Sequence, residues 1–496
     1  MINIWTGLGT REGMQEATEL LRTMQTNKVS PDSFSYATLI HGWSKTLREK
    51  ARVPEAGYRA EQLLYELEQL PPSRLKQDFS RTIVYNSVMA SWAKCGDKTA
   101  PQRVDALLTM LENKFFNGQD DARPDKTTFL CMIDAYAKAG LPDSAERCDH
   151  LLQRMSHLQE VFQFRGLEPD RILYNCILNA LAKSCQPSAV EKAEEILTMM
   201  QTSPDESLRP DIVTYATVID CHTKCGDHAS ERAEQMIRFV EGSFRNGDEL
   251  LKPNAVFYSA ILQAWAKTST VTGAAKAEEL LRRNMGLYEK GFDYAKPHAI
   301  MYNAVMDAIA RTGEPGSGAR AEELLDEMEA LYQAGNEEMK PTRRSFNAVI
   351  LAYREHADGG KKPEELLRRM EELADIGDWD VTPDVVSYNC VIGAIVDDEK
   401  SEGAADRAQS LLDRMEERSV QPDGRTYSCV IKAWLKRNDE KGHTLAEMML
   451  KQFLEKVESN KQDSKKEHFY EDAVWDVINE YRDSDGDLAL LLLTPR

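Results

Sequence analysis

Met301-Tyr302-Asn303-Ala304-Val305-Met306-Asp307-Ala308-Ile309-Ala310-Arg311-Thr312-Gly313 is followed by Ala321-Glu322-Glu323-Leu324-Leu325-Asp326-Glu327-Met328 and then by Lys340-Pro341. In the first segment Tyr302, Val305, Met306 and Ile309 fall at i, i+3, i+4 and i+7, the apolar stripe of an amphipathic helix. The second segment is a second helix: its alanine lets a neighbour approach and its leucines supply the buried stripe. The proline ends that helix, because it has no N–H to donate and crowds the preceding turn. The stretch therefore reads as a helical hairpin.

The same pattern recurs along the chain. Its aromatic anchor appears at Tyr36, Tyr85, Phe129, Tyr174, Tyr215, Tyr258, Tyr302, Phe346, Tyr388 and Tyr427, at intervals of 39 to 49 residues. Gly96, Gly140, Gly226 and Gly313 each stand eleven residues after an anchor, where a left-handed residue would end the first helix. Runs of the Ala-Glu-x-Leu-Leu type recur at 60–64, 277–281 and 321–325. Pro124-Asp125, Pro169-Asp170, Pro210-Asp211, Pro383-Asp384 and Pro422-Asp423 close their repeats, and the aspartate suits the start of the next helix. One hairpin cannot bury its own apolar faces, but stacked hairpins can. The expected fold is all-α, an α-solenoid of helix-turn-helix repeats.

The expected organisation has three parts. Residues 1–32 hold only a second helix, around 17–24, as a partial N-terminal repeat. Residues 33–457 hold about ten hairpins, with extra length at 114–123 and 156–168 expected in longer second helices and edge loops. Residues 458–496 make a charged linker, a capping helix at 469–481 and a tail. An array opening halfway through a repeat suggests a chain that starts inside a longer one. No apolar run is long enough to span a membrane. Nine cysteines at scattered helical positions read as small core residues; Cys221 and Cys225, with His222 between them, lack the second ligand pair a zinc site needs. Asp483-Ser484-Asp485-Gly486-Asp487 resembles the opening of a calcium loop but lacks its closing glutamate. With no phosphate-cradling glycine loop and no His-Glu-x-x-His pair, the expectation is no enzyme, no cofactor, no metal and no small-molecule substrate.

The order of residues in each repeat resembles the pentatricopeptide repeat family: aromatic-Asn-x-Val/Leu-Ile, Ala-Lys-x-Gly, Ala-Glu-x-Leu-Leu-x-x-Met and Pro-Asp. The resemblance covers about residues 10–457, although the repeats exceed the family's usual 35 residues. It implies a right-handed superhelix whose first helices line a groove for single-stranded RNA, one nucleotide per repeat. In the family, the residue after the anchor and the last residue of the repeat select the base. Here these pairs are Asn86 with Asp125, Asn175 with Asp211, Asn347 with Asp384, and Asn389 with Asp423, a combination that implies uridine. Ser259 with His298 and Asn303 with Thr342 follow no favoured pair, and Ala37, Leu130 and Ala216 offer no polar selector, so the implied specificity is partial. The aliphatic residue two before the anchor, which sandwiches the base in the family, is matched by Ile83, Ile172, Val213, Val256, Ile300 and Val386; Thr127, Arg344 and Arg425 depart from it.

Charge gives a separate indication. The net charge is −20, which on its face argues against a polyanionic partner. Yet nine residues after the anchor stand Lys45, Lys94, Lys138, Lys183, Lys224, Lys267, Arg311 and Lys436, with Glu355, beside Arg354, and Asp397 as exceptions. Twelve residues around each anchor sum to +5, leaving −25 for the rest of the chain. If all eight cations met phosphates, the log–log salt slope of single-strand binding would be about −5 to −6. The expected function is an RNA-binding adaptor in organellar RNA processing, stability or translation, placed in a mitochondrion or plastid, with the cytoplasm as the alternative, and working with RNA-processing proteins. The alternative, favoured by the acidic balance, is a protein-interaction scaffold. A nuclease fragment lacking its catalytic half would need a longer gene product.

Overall fold

The computed structural model describes residues 5–6, 10–27, 29–45, 55–75, 79–95, 97–162, 166–226, 228–354, 360–397, 403–437 and 439–460. Gly96, Glu355 and everything after residue 460, including the expected capping helix and the Asp483 loop, lie outside these. Among the described residues the secondary structure is entirely helical. After the opening helix Arg11–Thr26, leading and trailing helices alternate from Ser33–Lys45 and Glu55–Glu68 to Gly424–Lys436 and Glu440–Asn460. Two compact units divide the chain, Met1–Lys252 and Pro253–Arg496. Within each, every leading helix packs on its own trailing helix and on the next leading helix.

The anchor rings form the floor of both stacks. Tyr85, Phe129, Tyr302, Phe346 and Tyr388 are fully buried, while Tyr174 is only half-buried. The alanines opening the trailing helices, Ala60, Ala193, Ala277, Ala321 and Ala408, have no exposed surface, as close helix approach requires. Seven residues later comes a buried methionine in three repeats, Met200, Met328 and Met415. In the Val271–Glu289 helix that place is taken by Asn284, 1% exposed, whose Oδ1 and Nδ2 both lack a hydrogen-bond partner. Burying an unpaired amide costs about 1–3 kcal/mol. Asn284→Met should therefore stabilise its repeat by about that amount, read as slower hydrogen exchange in the helices around it.

The Pro-Asp pair works as expected. Asp125, Asp170, Asp211 and Asp423 each cap a leading helix, their side chains accepting from the N–H of Thr128, Leu173, Thr214 and Thr426. The first-helix glycines do not behave alike. Gly140 (φ 60°) and Gly313 (φ 62°) are left-handed, but Gly226 is extended at φ −122°. A Cβ on Gly226 would lie 3.3 Å from both the His222 carbonyl and Val190 Cγ2, so its small size is what the site uses. In the Tyr174 repeat the left-handed place is filled by Cys185, φ 51°.

The extra residues that lengthen the repeats form an element the hairpin reading did not contain. The trailing helix ends at a glycine with positive φ, as at Gly118, Gly247, Gly291, Gly335 and Gly377. A 3₁₀ turn follows, seen at Asp120–Ala122, Glu249–Leu251, Asp293–Ala295, Glu337–Met339 and Trp379–Val381. Each turn buries its last residue: Ala122, Leu251, Ala295, Met339 or Val381. The leading-helix cap then follows within a few residues.

Trailing helices of neighbouring repeats are joined by ion pairs. Arg147 meets Asp105 at 3.2 Å, Lys192 meets Asp149 at 3.1 Å and Arg232 meets Glu194 at 2.7 Å; Arg407 meets Glu364 at 2.6 Å, and Arg154–Glu112, Arg320–Glu278, Arg369–Glu329 and Arg414–Glu371 repeat the pattern. These pairs tie each repeat to its neighbour and leave the net charge outside the leading helices unchanged.

Candidate nucleic-acid interface

The leading helices place the selector residues beside the cap of the next helix. Asn86 Nδ2 donates to Asp125 Oδ1 at 2.9 Å, Asn175 to Asp211 at 3.3 Å and Asn389 to Asp423 at 3.1 Å. These pairs are more than thirty residues apart in sequence, and stacking brings them together because the cap of one leading helix abuts the first turns of its predecessor. The fourth pair does not close in the same way: Asn347 Oδ1 is buried without a hydrogen-bond partner, while Asp384 caps Ser387 at 3.0 Å and pairs with Arg343 at 3.0 Å. Ser259 Oγ accepts from Gln263 on its own helix at 3.3 Å, and His298 accepts from the Ile300 N–H at 3.2 Å. Asn303 Oδ1 is also buried and unpartnered.

The six aliphatic residues two before the anchor are all solvent-facing. Ile83, Ile172, Val213, Val256, Ile300 and Val386 are between 41% and 65% exposed, each on the first turn of a leading helix otherwise buried on its apolar face. Phe34 stands in the same register and is likewise exposed. The sequence reading missed it, although its place two before Tyr36 signals it. Arg344 occupies this register in its repeat and pairs with Asp307 at 2.7 Å.

A second missed set lies at the first helical position. Lys126 pairs with Asp170 at 3.0 Å, Arg171 with Asp211 at 3.1 Å and Arg343 with Asp384 at 3.0 Å. The signal was a cation directly after each cap. Burial pushes the Asp170 carboxyl up, but the Leu173 N–H and the Lys126 ammonium outweigh it and hold the group below the ordinary aspartate value. Thiols two residues after the anchor pack beneath this surface: burial pushes Cys131 up to about 12 and raises Cys176 and Cys390.

The cationic positions divide into two groups. Lys94 Nζ donates to the Ser44 carbonyl at 2.8 Å and Lys436 Nζ to that of Val396 at 2.6 Å, each closing the end of the preceding leading helix. Lys138 pairs with Asp134 and Lys224 with Asp220, both at 2.6 Å and one turn away. All eight cations, Lys45, Lys183, Lys267 and Arg311 included, are exposed at their helix ends. The acidic exception Asp397 is balanced by Arg354 at 2.6 Å.

In the C-terminal unit these features enclose an open pocket of about 380 Å³, lined by Asp307, Arg343, Arg344, Asn347, Ala348, Leu351, Asp384, Val386 and Cys390. It sets the two sandwich-register residues, Arg344 and Val386, around a floor made by a selector pair. Among the described residues no helix is long and apolar enough to cross a membrane, and no group of three or more His, Cys, Asp or Glu side chains could hold a metal.

Stacked helical hairpins with a polar residue and an exposed aliphatic residue at fixed places on each leading helix define an α-solenoid repeat protein. The sequence model described as the PPR repeat family matches residues 383–436, and that of the PPR repeat matches 127–148. Among solved structures the chain is similar to the pentatricopeptide repeat protein PPR10 in complex with an 18-nt psaJ RNA element, at 18% identity and a TM-score of 0.52 over 95% of this chain and 61% of that one. PPR10 from maize matches with the same identity and TM-score, over 95% of this chain and 59% of that one. This chain therefore spans less than two thirds of the length of those proteins. No curated protein matches the sequence. Two stretches of the chain thus match pentatricopeptide repeat models, and its stack of helices has the fold of the solved pentatricopeptide repeat proteins.

Proposed function

We propose that the chain binds single-stranded RNA on the leading-helix faces of its repeats, one base per repeat, with a partial preference for uridine. The observation that carries this reading is the set of six exposed aliphatic side chains at one register. A folded chain normally keeps such residues for packing; here they stand in solvent beside amide–carboxylate pairs, an arrangement suited to a base's flat face and polar edge together. The similarity to PPR10, solved in complex with an 18-nt RNA element, is in keeping with it. Titrating a uridine-rich single strand, polyadenosine and duplex RNA tests the reading. Preference for the uridine-rich strand supports it; no binding at low salt, with protein partners captured instead, favours the interaction scaffold.

Four of the eight basic residues already hold oxygens of the protein. The salt dependence should therefore be shallower than eight cations imply. We expect a log–log slope between 50 and 200 mM salt clearly shallower than about −5 to −6, the value for eight released counterions. A slope near −6 would mean that the intramolecular lysine contacts open on binding.

A role in processing, stabilising or translating an organellar transcript, together with RNA-processing partners, extends this reading and rests on the family resemblance. Cell fractionation followed by sequencing of crosslinked RNA tests it.

A further inference from the structure

Three of the selector pairs close through a third residue. The threonine just before the next anchor donates its hydroxyl to the asparagine Oδ1: Thr128 to Asn86 at 2.8 Å, Thr214 to Asn175 at 2.8 Å and Thr426 to Asn389 at 2.7 Å. In the same three repeats the asparagine Nδ2 donates to the cap aspartate, whose Oδ1 also takes the threonine N–H at 2.9 Å. Only one orientation of the amide satisfies this set. Turned over, its carbonyl would face a carboxylate oxygen. One N–H and one lone pair of the amide then remain for a ligand, at determined places.

Where the threonine is replaced by serine, the lock is absent. Ser387 Oγ keeps the aspartate contact the threonines also make, at 3.1 Å from Asp384 Oδ1 against 2.9–3.0 Å in their repeats, but Asn347 Oδ1 is left buried with no partner. Ser345 holds the same register opposite Asn303, whose Oδ1 is also unpartnered. The physical difference is the methyl. A threonine in a helix has few χ1 choices, whereas serine turns freely. The register is tight in both cases: Thr128, Thr214, Thr426, Ser345 and Ser387 all have no exposed surface.

We propose that this threonine is a specificity-determining positioning residue, and that serine in its place leaves the selector amide free to turn. The proposal rests on the RNA-binding reading above. Its chemical content is a choice between pyrimidines. Uracil offers an N–H donor at N3 beside a carbonyl acceptor, while cytosine offers an acceptor beside an amino donor. A locked amide matches one of these edges. An amide that turns matches either, so the Asn347 repeat accepts both bases where the Asn86, Asn175 and Asn389 repeats accept one.

The test is selection from a random single-stranded RNA pool by the full chain, comparing the unsubstituted protein with Thr214→Ser and Ser387→Thr. Ser387→Thr should raise the uridine-over-cytidine ratio at one nucleotide by about 3- to 10-fold, the worth of one hydrogen bond. Thr214→Ser should lower that ratio by a similar factor at a different nucleotide. A residue that only supported the fold would weaken all sequences alike and leave the ratios unmoved. If the unsubstituted chain enriches RNA and Ser387→Thr changes no ratio, the proposal falls while the binding reading stands. If the unsubstituted chain enriches no RNA, both fall.

Discussion

Replacing Ile172 and Val213 together by aspartate should weaken binding of a uridine-rich single strand by at least about 100-fold, while leaving helicity and thermal unfolding unchanged. Both side chains are solvent-facing, at 60% and 47% exposure, so the folded state loses little when they become polar. What is lost is two adjacent apolar surfaces for bases. Base stacking is worth about 1–3 kcal/mol per base, so two sites account for the expected factor. The new carboxylates also repel phosphates. Filter binding or fluorescence anisotropy at 100 mM salt measures the loss. Unchanged affinity would mean that bases do not sit on this register, and the interface would have to be sought elsewhere on the repeats.

Trp92→Ala should destabilise its part of the chain by about 3–5 kcal/mol, the usual cost of emptying a large aromatic site. Trp92 is fully buried at the junction of the Glu55–Glu68 and Arg81–Cys95 helices. Tyr58 packs edge-on against it, with ring centres 4.6 Å apart. Gly57 lies so close that a Cβ there would come within 2.6 Å of the indole. The indole N–H donates to Glu61 Oε2 at 2.9 Å, and Glu61 is only 8% exposed. Removing the ring therefore opens a cavity and leaves this carboxylate facing Arg103, at 3.5 Å. A repeat array opens locally, so hydrogen exchange read helix by helix is the appropriate measurement. Protection should collapse over 55–95 and persist in residues 253–460. A loss below about 1 kcal/mol would show that the neighbouring helices close over the gap.

The acidic net charge looked like the main objection to a nucleic-acid partner. The ion pairs between trailing helices do not lessen it, since each joins one cation to one anion and leaves the sum unchanged, but they fix where those charges sit. Glu112, Glu278, Glu329 and Glu371 each take an arginine from the next repeat, and Glu371, 4% exposed, also accepts from the Tyr388 hydroxyl at 2.7 Å. On the leading helices Lys138 and Lys224 likewise pair with aspartates one turn away. Formal charge summed by helix could not show which of the exposed cations already hold an oxygen of the protein.

The edge turns were legible in the chain but went unread. Gly118, Gly247, Gly291, Gly335 and Gly377 each stand six residues before a proline, with an apolar residue two before that proline. Periodicity searches look for helical stripes, and a single buried side chain on a 3₁₀ turn makes no stripe. The selector pairs were legible as positions, yet their closure was not. Asn347 with Asp384 carries the same two residue types as Asn175 with Asp211, and the two pairs differ through Ser387 and Thr214, which lie in the following helix.

Periodic apolar spacing, the proline that ends each hairpin and the aspartate that starts the next determined the repeat and its all-helical stack without any coordinates. These are local effects, set by backbone sterics and by the burial each hairpin needs from its neighbour. Which lysines close the preceding leading helix and which amides are held were decided only by tertiary packing, because each depends on an atom supplied from a helix about forty residues away.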